Sequence, residues 1–287
     1  MGNGVSLSGL RSVEQEIMNL DRRDFLKTAL AASAVTALGE LKASAAPTGA
    51  GEAAGCEYYE LRAYRLKPGA AHALLDSYLE KALIPALNAR GIATVGVFTE
   101  PEAKDLEAVW VLIPHPSLES VASVTAALNA DPAVQAAGAA YLNSPTKEEP
   151  AFERIDSWLL LAFAGMPKLA VPALTRAGKP RILELRTYDS FSEAKALKKV
   201  EMFNAGEIEL MKTLGLSPVF YGQALVGRDL PHLTYLLCGS DRETHAQNWT
   251  AFGQHPVWLG LKDDPQYADT VTKVTSRFLA PAAYSQI

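Results

Sequence analysis

The chain is poor in cysteine and histidine and has no long apolar run. Two cysteines in 287 residues, Cys56 and Cys238, are too few for a disulfide framework, and neither lies at zinc-ligand spacing from another donor. The five histidines, His72, His115, His232, His245 and His255, form no pair with each other, with cysteine or with carboxylate at such spacing, which argues against a protein-built metal site. Gly-x-Ser-x-Gly, a phosphate-binding glycine loop and a dinucleotide fingerprint are all missing. A net charge of −5 with no basic tract argues against a nucleic-acid partner. The apolar stretch over residues 29–38 is too short to span a bilayer. With 48 % hydrophobic and 21 % charged residues, the composition is that of an ordinary globular chain.

What the chain does contain is a repeat. Glu60-Leu61-Arg62-Ala63-Tyr64 returns as Glu184-Leu185-Arg186-Thr187-Tyr188, and the same offset of 124 relates Gly91 to Gly215 and Pro132 to Pro256. A repeat of this length implies two similar units in tandem. The expected division is a leader over 1–45, a first unit over 57–164, a linker over 165–180 rich in proline and glycine, and a second unit over 181–287.

The leader resembles a bacterial twin-arginine export signal. Arg22-Arg23 is followed by Phe25-Leu26-Lys27, a modest apolar stretch and the small-residue site Ala43-Ser44-Ala45, which places the mature start at Ala46. Met18 is the expected true start, with residues 1–17 an overlong reading. The signal implies a periplasmic or secreted protein, passage through the twin-arginine machinery, and no membrane span in the mature chain. That route carries proteins already folded, which favours a ligand or a homo-oligomer acquired before export.

Each unit reads as strand, helix, strand, strand, helix, strand. In the first, strands are expected over 58–65, 92–98, 106–113 and 155–163, the last buried on both faces. Helices are expected over 70–90, kinked at Pro85, and over 118–128, with irregular chain through 131–150. The second unit repeats this order, and Tyr235 stands near the position of Trp110. This is the ferredoxin-like βαββαβ arrangement, an α+β class in which helices cover one sheet face. Two such sheets can cover each other's bare faces, giving an α/β barrel with pseudo-two-fold symmetry inside one polypeptide.

Glu-Leu-Arg-x-Tyr at the head of each unit, Gly215-Leu216-Ser217-Pro218-Val219-Phe220-Tyr221-Gly222, Trp249-x-x-Phe252, Pro256-x-Trp258 and Tyr284-Ser285-Gln286-Ile287 resemble the NIPSNAP family over most of 57–287. The likeness is stronger in the second unit, since the first lacks counterparts of Trp249 and Trp258. The resemblance implies the dimeric α/β-barrel superfamily, which includes cofactor-independent monooxygenases, haem proteins and small-molecule degradation enzymes. It does not choose among these chemistries.

Alternation puts Glu60, Arg62 and Tyr64, and likewise Glu184, Arg186 and Tyr188, on one strand face in each unit. Such a set can clamp a carboxylate or enolate and move a proton, or it can form ion pairs in a seam between the two units; the seam is the preferred reading. Arg186, Tyr188 and Glu207 are the catalytic candidates. Tyr221, Tyr235, Trp249 and Trp258 are candidates for a ligand pocket between sheet and helices, where the superfamily places ligands, with plain core packing as the alternative. His245 is the residue to test as a haem ligand, against a solvated or capping role. No other cofactor is expected. The expected function is an exported protein that binds a small, partly apolar ligand or serves as an assembly partner, with a cofactor-independent monooxygenase or isomerase acting on a small carbonyl or phenolic compound as the alternative.

Overall fold

The structure, a computed structural model, describes residues 55–66, 73–102, 108–143, 145–146 and 150–287. The export signal, the start at Met18 and His72 lie outside the described residues. The described residues form eight strands: β1 (Tyr58–Arg65), β2 (Gly96–Thr99), β3 (Ala108–His115), β4 (Arg154–Ala162), β5 (Ile182–Asp189), β6 (Pro218–Val226), β7 (His232–Gly239) and β8 (Lys273–Pro281). In the first unit β1 pairs with β3 and β4, and β2 with β3, all antiparallel. In the second, β5 pairs with β7 and β8, and β6 with β7. The outer strands then join across the units, β2 to β8 and β4 to β6, so the ring closes as β1-β3-β2-β8-β5-β7-β6-β4. The closing contacts are short, two residue pairs between β2 and β8 and four between β4 and β6.

In a closed barrel each strand residue points either into the lumen or outward. Tyr59, Leu61 and Ala63 of β1, Trp110 and Leu112 of β3, Leu183 and Leu185 of β5, and Leu236 and Cys238 of β7 share the lumen cluster. The intervening residues face the helices: Tyr64, Val109, Val111 and Ile113 in the first unit, Leu233, Tyr235 and Leu237 in the second. This parity overturns the seam expected for Glu60, Arg62, Tyr64, Glu184, Arg186 and Tyr188. They occupy the helix-covered outer faces, and the units meet through apolar lumen residues instead. The same parity separates Trp110 from Tyr235. A shift of one residue reverses a side chain's face, so Trp110 lines the lumen, Tyr235 lies under the helices, and Thr234 takes the lumen position.

The long helix of each unit is interrupted by one π-helical turn, Leu79–Leu83 in the first and Phe203–Glu207 in the second. The two turns are again 124 positions apart. Gly91 (φ 83°) and Gly215 (φ 77°) end these helices in the left-handed conformation that glycine adopts without a Cβ clash. Pro85 does not break its helix; it follows directly on the π-helical turn, within the helical segment Ile84–Asn88. Two expectations fail locally. The stretch over 131–150 contains the short helices Pro132–Ala137 and Ala139–Asn143, the first capped by Asp131 Oδ1 accepting from Ala133 N. β4 is not buried on both faces, because Arg154 and Ile155 at its start are exposed. Among the described residues no helix is long and apolar enough to cross a membrane.

One end of the lumen is filled. After β8 the chain doubles back along β2: Ala282 N donates to Val97 O, Gln286 N to Val95 O, and Val95 N to Gln286 Oε1, at 2.8–3.0 Å. This fixes Ile287, fully buried, inside the lumen cluster beside Gly96 and Phe98. Truncating a buried isoleucine forfeits both transfer energy and packing. Ile287→Ala should therefore lower stability by about 2–5 kcal/mol in urea denaturation; an unchanged midpoint would show that the lumen does not depend on this residue.

Candidate functional site

Beneath the helices of the second unit lies the cluster that contains most of the sequence candidates. Glu184 accepts from Arg186 Nη1 (2.6 Å), Trp249 Nε1 (2.7 Å) and Ser276 Oγ (2.5 Å), and it lies 2.8 Å from His245 Nε2. Burial alone would raise this carboxyl, but the bond to His245, the charge of Arg186 and the bonds from Ser276 and Trp249 outweigh it and hold Glu184 at about 2. Arg186 Nη2 donates to Tyr188 Oη (3.3 Å), which accepts in turn from Tyr235 Oη (2.8 Å). The Arg186 guanidinium also rests on the Trp249 ring, 4.5 Å from its centroid. Tyr221 donates to Met211 Sδ. Thus Arg186 and Tyr188 are brought together, and most donors and acceptors of this set are occupied by one another, although Arg186 Nε is buried without an acceptor. Tyr221 and Tyr235 are fully buried core residues, while Trp249 and Trp258 pack at the edge of the same cluster.

Glu207 is engaged separately. Its carboxylate accepts from Lys199 Nζ at 2.5 Å, and both residues are at most 2 % exposed. Lys199 Nζ also lies 4.7 Å from the Phe203 ring centre and 5.3 Å from that of Trp258. Burial lowers the lysine and raises the glutamate from their usual values. At the equivalent positions, 124 residues earlier, the first unit has Leu75 and Leu83, both buried. Lys199 was not among the sequence candidates, although a lysine in the apolar stripe of Ala196, Met202 and Phe203 was a legible signal.

The first unit keeps part of the pattern. Arg62 donates twice to Glu60, at 2.6 and 2.7 Å, and Ser157, opposite Arg62 as Ser276 is opposite Arg186, donates to Glu60 at 3.2 Å. His115, buried and 3.7 Å from Glu60, supplies the imidazole that His245 supplies in the second unit. Burial pushes Glu60 up, yet His115 and Arg62 together bring it to about 2.

The open space lies elsewhere. At the ends of β1 and β5 opposite to Ile287, the lumen widens into a cavity of about 530 Å³ floored by Leu61 and Leu185. Here the repeat has diverged at successive inward positions: Ala63 faces Thr187, Arg65 faces Asp189, Ala108 faces His232 and Trp110 faces Thr234 as counterparts. The wall around Trp110 and Trp158 of the first unit is aromatic, and Arg65 of that unit and Arg228 and Arg277 of the second make it cationic. Trp110 and Trp158 stack with centroids 6.1 Å apart and planes 18° from parallel; Arg277 lies 5.9 Å from the Trp110 ring and Arg228 6.0 Å from that of Trp158. Asp156 Oδ2 lies 3.2 Å from Arg65 Nε and 3.0 Å from Arg228 Nη2, while Arg277 pairs with Glu100 at 3.1 Å. The second-unit wall is hydroxylic, with Thr187 and Thr234 3.0 Å apart and His232 Nδ1 3.3 Å from Thr234. Burial lowers His232 from its usual value despite the nearby Asp189. Sequence reasoning did not single out this cavity, because its residues are scattered over six strands and share only their inward parity.

The NIPSNAP family pattern matches residues 59–161 and again 183–286, one copy per unit. The chain belongs to the NIPSNAP family. A twin-arginine translocation signal matches residues 19–39, which marks this NIPSNAP protein for export to the periplasm or beyond. Among solved structures, a presumed monooxygenase from Lactobacillus acidophilus overlaps 79 % of this chain and 94 % of its own at 7 % identity and a TM-score of 0.50. A NIPSNAP family protein of unknown function from Agrobacterium tumefaciens matches 37 % of this chain and 92 % of its own at 20 % identity and a TM-score of 0.34. A haem-binding protein from Thermus thermophilus overlaps 80 % and 92 % at 11 % identity and a TM-score of 0.43. These likenesses concern fold alone. No curated protein matches the chain.

Haem does not fit the histidine expected to hold it. His245 is buried at 2 % exposure, neither solvated nor capping; its Nε2 is taken by Glu184, and its Nδ1 lies against Gly239, where even a Cβ would approach to 2.9 Å. Neither ring nitrogen has room for an iron.

Three outcomes follow from this geometry. Protein from haem-supplemented expression should show no Soret band that His245→Ala removes; such a band would refute the assignment of His245 to Glu184. Lys199→Leu should destabilise the protein by about 3–5 kcal/mol, since Glu207 is left charged and alone, whereas Lys199→Leu with Glu207→Leu, which copies the first unit, should restore or exceed the original stability in urea denaturation. Equal loss in both variants would show that the ion pair itself is required. Both Glu60 and Glu184 lie below the ordinary 4.5, so their stabilisation is complete above that pH and disappears as pH falls towards about 2. Denaturation midpoints should drop across this window, and Glu184→Gln, though less stable overall, should show a shallower drop.

Proposed function

We propose that this exported NIPSNAP protein binds a small, partly apolar molecule in the barrel mouth. The observation that carries the reading is the cavity of about 530 Å³, with Leu61, Leu185, Trp110 and Trp158 beneath a charged and hydroxylic rim. That size and this mixture of apolar walls with few polar anchors are those of a small-molecule site. The pocket expected under the helices at Tyr221, Tyr235, Trp249 and Trp258 is less well supported, because those side chains are spent on each other and on Glu184. For the same reason, catalysis by Arg186, Tyr188 and Glu207 as a monooxygenase or isomerase is the weaker reading.

The test is to fill the cavity without touching its charges. Native mass spectrometry of protein recovered from the periplasm should show a bound small molecule in the unaltered protein. The Ala108→Phe variant, folded by circular dichroism, should be recovered bare. Retention of the same molecule by the filled variant would place binding outside the mouth.

A further inference from the structure

The mouth carries unspent hydrogen-bond donors on one side only. Trp110 is 8 % exposed, lines the cavity, and its indole N–H is buried without an acceptor. Arg65 Nε, also buried, is at ion-pair distance from Asp156 but outside hydrogen-bond geometry. Among the described residues, no buried acceptor in this cavity lacks a donor. A buried N–H without an acceptor costs free energy comparable to a lost hydrogen bond, and a ligand acceptor would recover it.

Charge distribution agrees with this. Asp156 offers one oxygen to two guanidiniums, Arg65 and Arg228, so this corner carries a positive surplus directly above the stacked tryptophans. Arg228 is held there by two contacts with Trp158: its guanidinium faces the indole ring, and its carbonyl accepts from Trp158 Nε1 at 3.3 Å. A planar carboxylate matches a guanidinium fork in geometry as well as charge. The acids Asp189 and Asp229 line the cavity near His232, and Lys273 lies opposite Asp189 on β8.

We infer that the ligand of the barrel mouth is a flat-ringed carboxylate, its carboxylate held by Arg65, Arg228 and the Trp110 N–H and its ring lying against Trp110 and Trp158. This rests on the mouth being the binding site. The hydroxyls of Thr187 and Thr234 stand across the cavity, so hydroxyl or oxo substituents on the far side of the ring would find partners there.

The experiment uses three probes with one ring body: 2-naphthoate, 2-naphthamide and 2-naphthylmethylamine, titrated into the exported protein by calorimetry. The carboxylate should bind at least about ten-fold more tightly than the other two, the difference expected of one charge-assisted anchor. Arg228→Gln should weaken carboxylate binding more than amide binding and so narrow the preference, and Trp110→Phe should weaken carboxylate and amide together. Equal affinity for all three probes, or first rank for the amine, would overturn the carboxylate assignment and leave the mouth as the site. Loss of every probe's binding in Ala108→Phe separates the two claims. If probes bind that filled variant as well as the unaltered protein, the mouth itself is wrong.

Discussion

Closure of the ring is the constraint on which the rest of this structure depends. Once β2 pairs with β8 and β4 with β6, the strands form one continuous circuit, and every side chain in it is assigned to the lumen or to the helix layer. The molecule is then three cores rather than two: one shared lumen and one helix-covered layer per unit. The Glu–Arg pairs belong to the layers. Each sits within a single strand and is finished by a serine from the neighbouring strand and a histidine close by, on β3 in the first unit and on the helix Arg242–Gln254 in the second, so each set stays inside its own unit.

Much of this was legible before any coordinates. The repeat gave two units, the turn and helix signals gave their order, and the bare sheet faces required the units to enclose something together. What the sequence left undecided was which face was bare. A strand reading Tyr-Glu-Leu-Arg-Ala-Tyr has polar groups on one side and Tyr59, Leu61 and Ala63 on the other, and either side can be covered. Helix burial decided it, since the helices cover the face with glutamate and arginine, whose charges meet each other, a strand serine and a histidine, and in the second unit also Trp249. The two short helices after Asp131 and His255 escaped notice because each is set by a local cap and a proline, over too few residues for periodicity to show. His245 was read from its helix alone, and its actual partner lies on a strand 61 residues away in sequence.

Divergence between the repeats marks where the units have been put to different use. Leu61 and Leu185 remain identical at the cavity floor, yet the inward positions above them differ at every step from Ala63 to Trp110. A symmetric ring has thereby acquired a sided mouth, aromatic and cationic against hydroxylic and acidic. The helix layers diverge too, with Lys199 and Glu207 replacing a leucine pair, but that change is internal and fully paired.

The filled end of the lumen has a consequence for traffic. With Ile287 and the residues leading to it packed against β2, the barrel is a cup and not a conduit. Whatever enters must leave by the way it came, past the same Arg65, Arg228 and Arg277. Under the binding proposed above, arrival and departure would compete for one doorway, and one molecule would bar the next until it had gone.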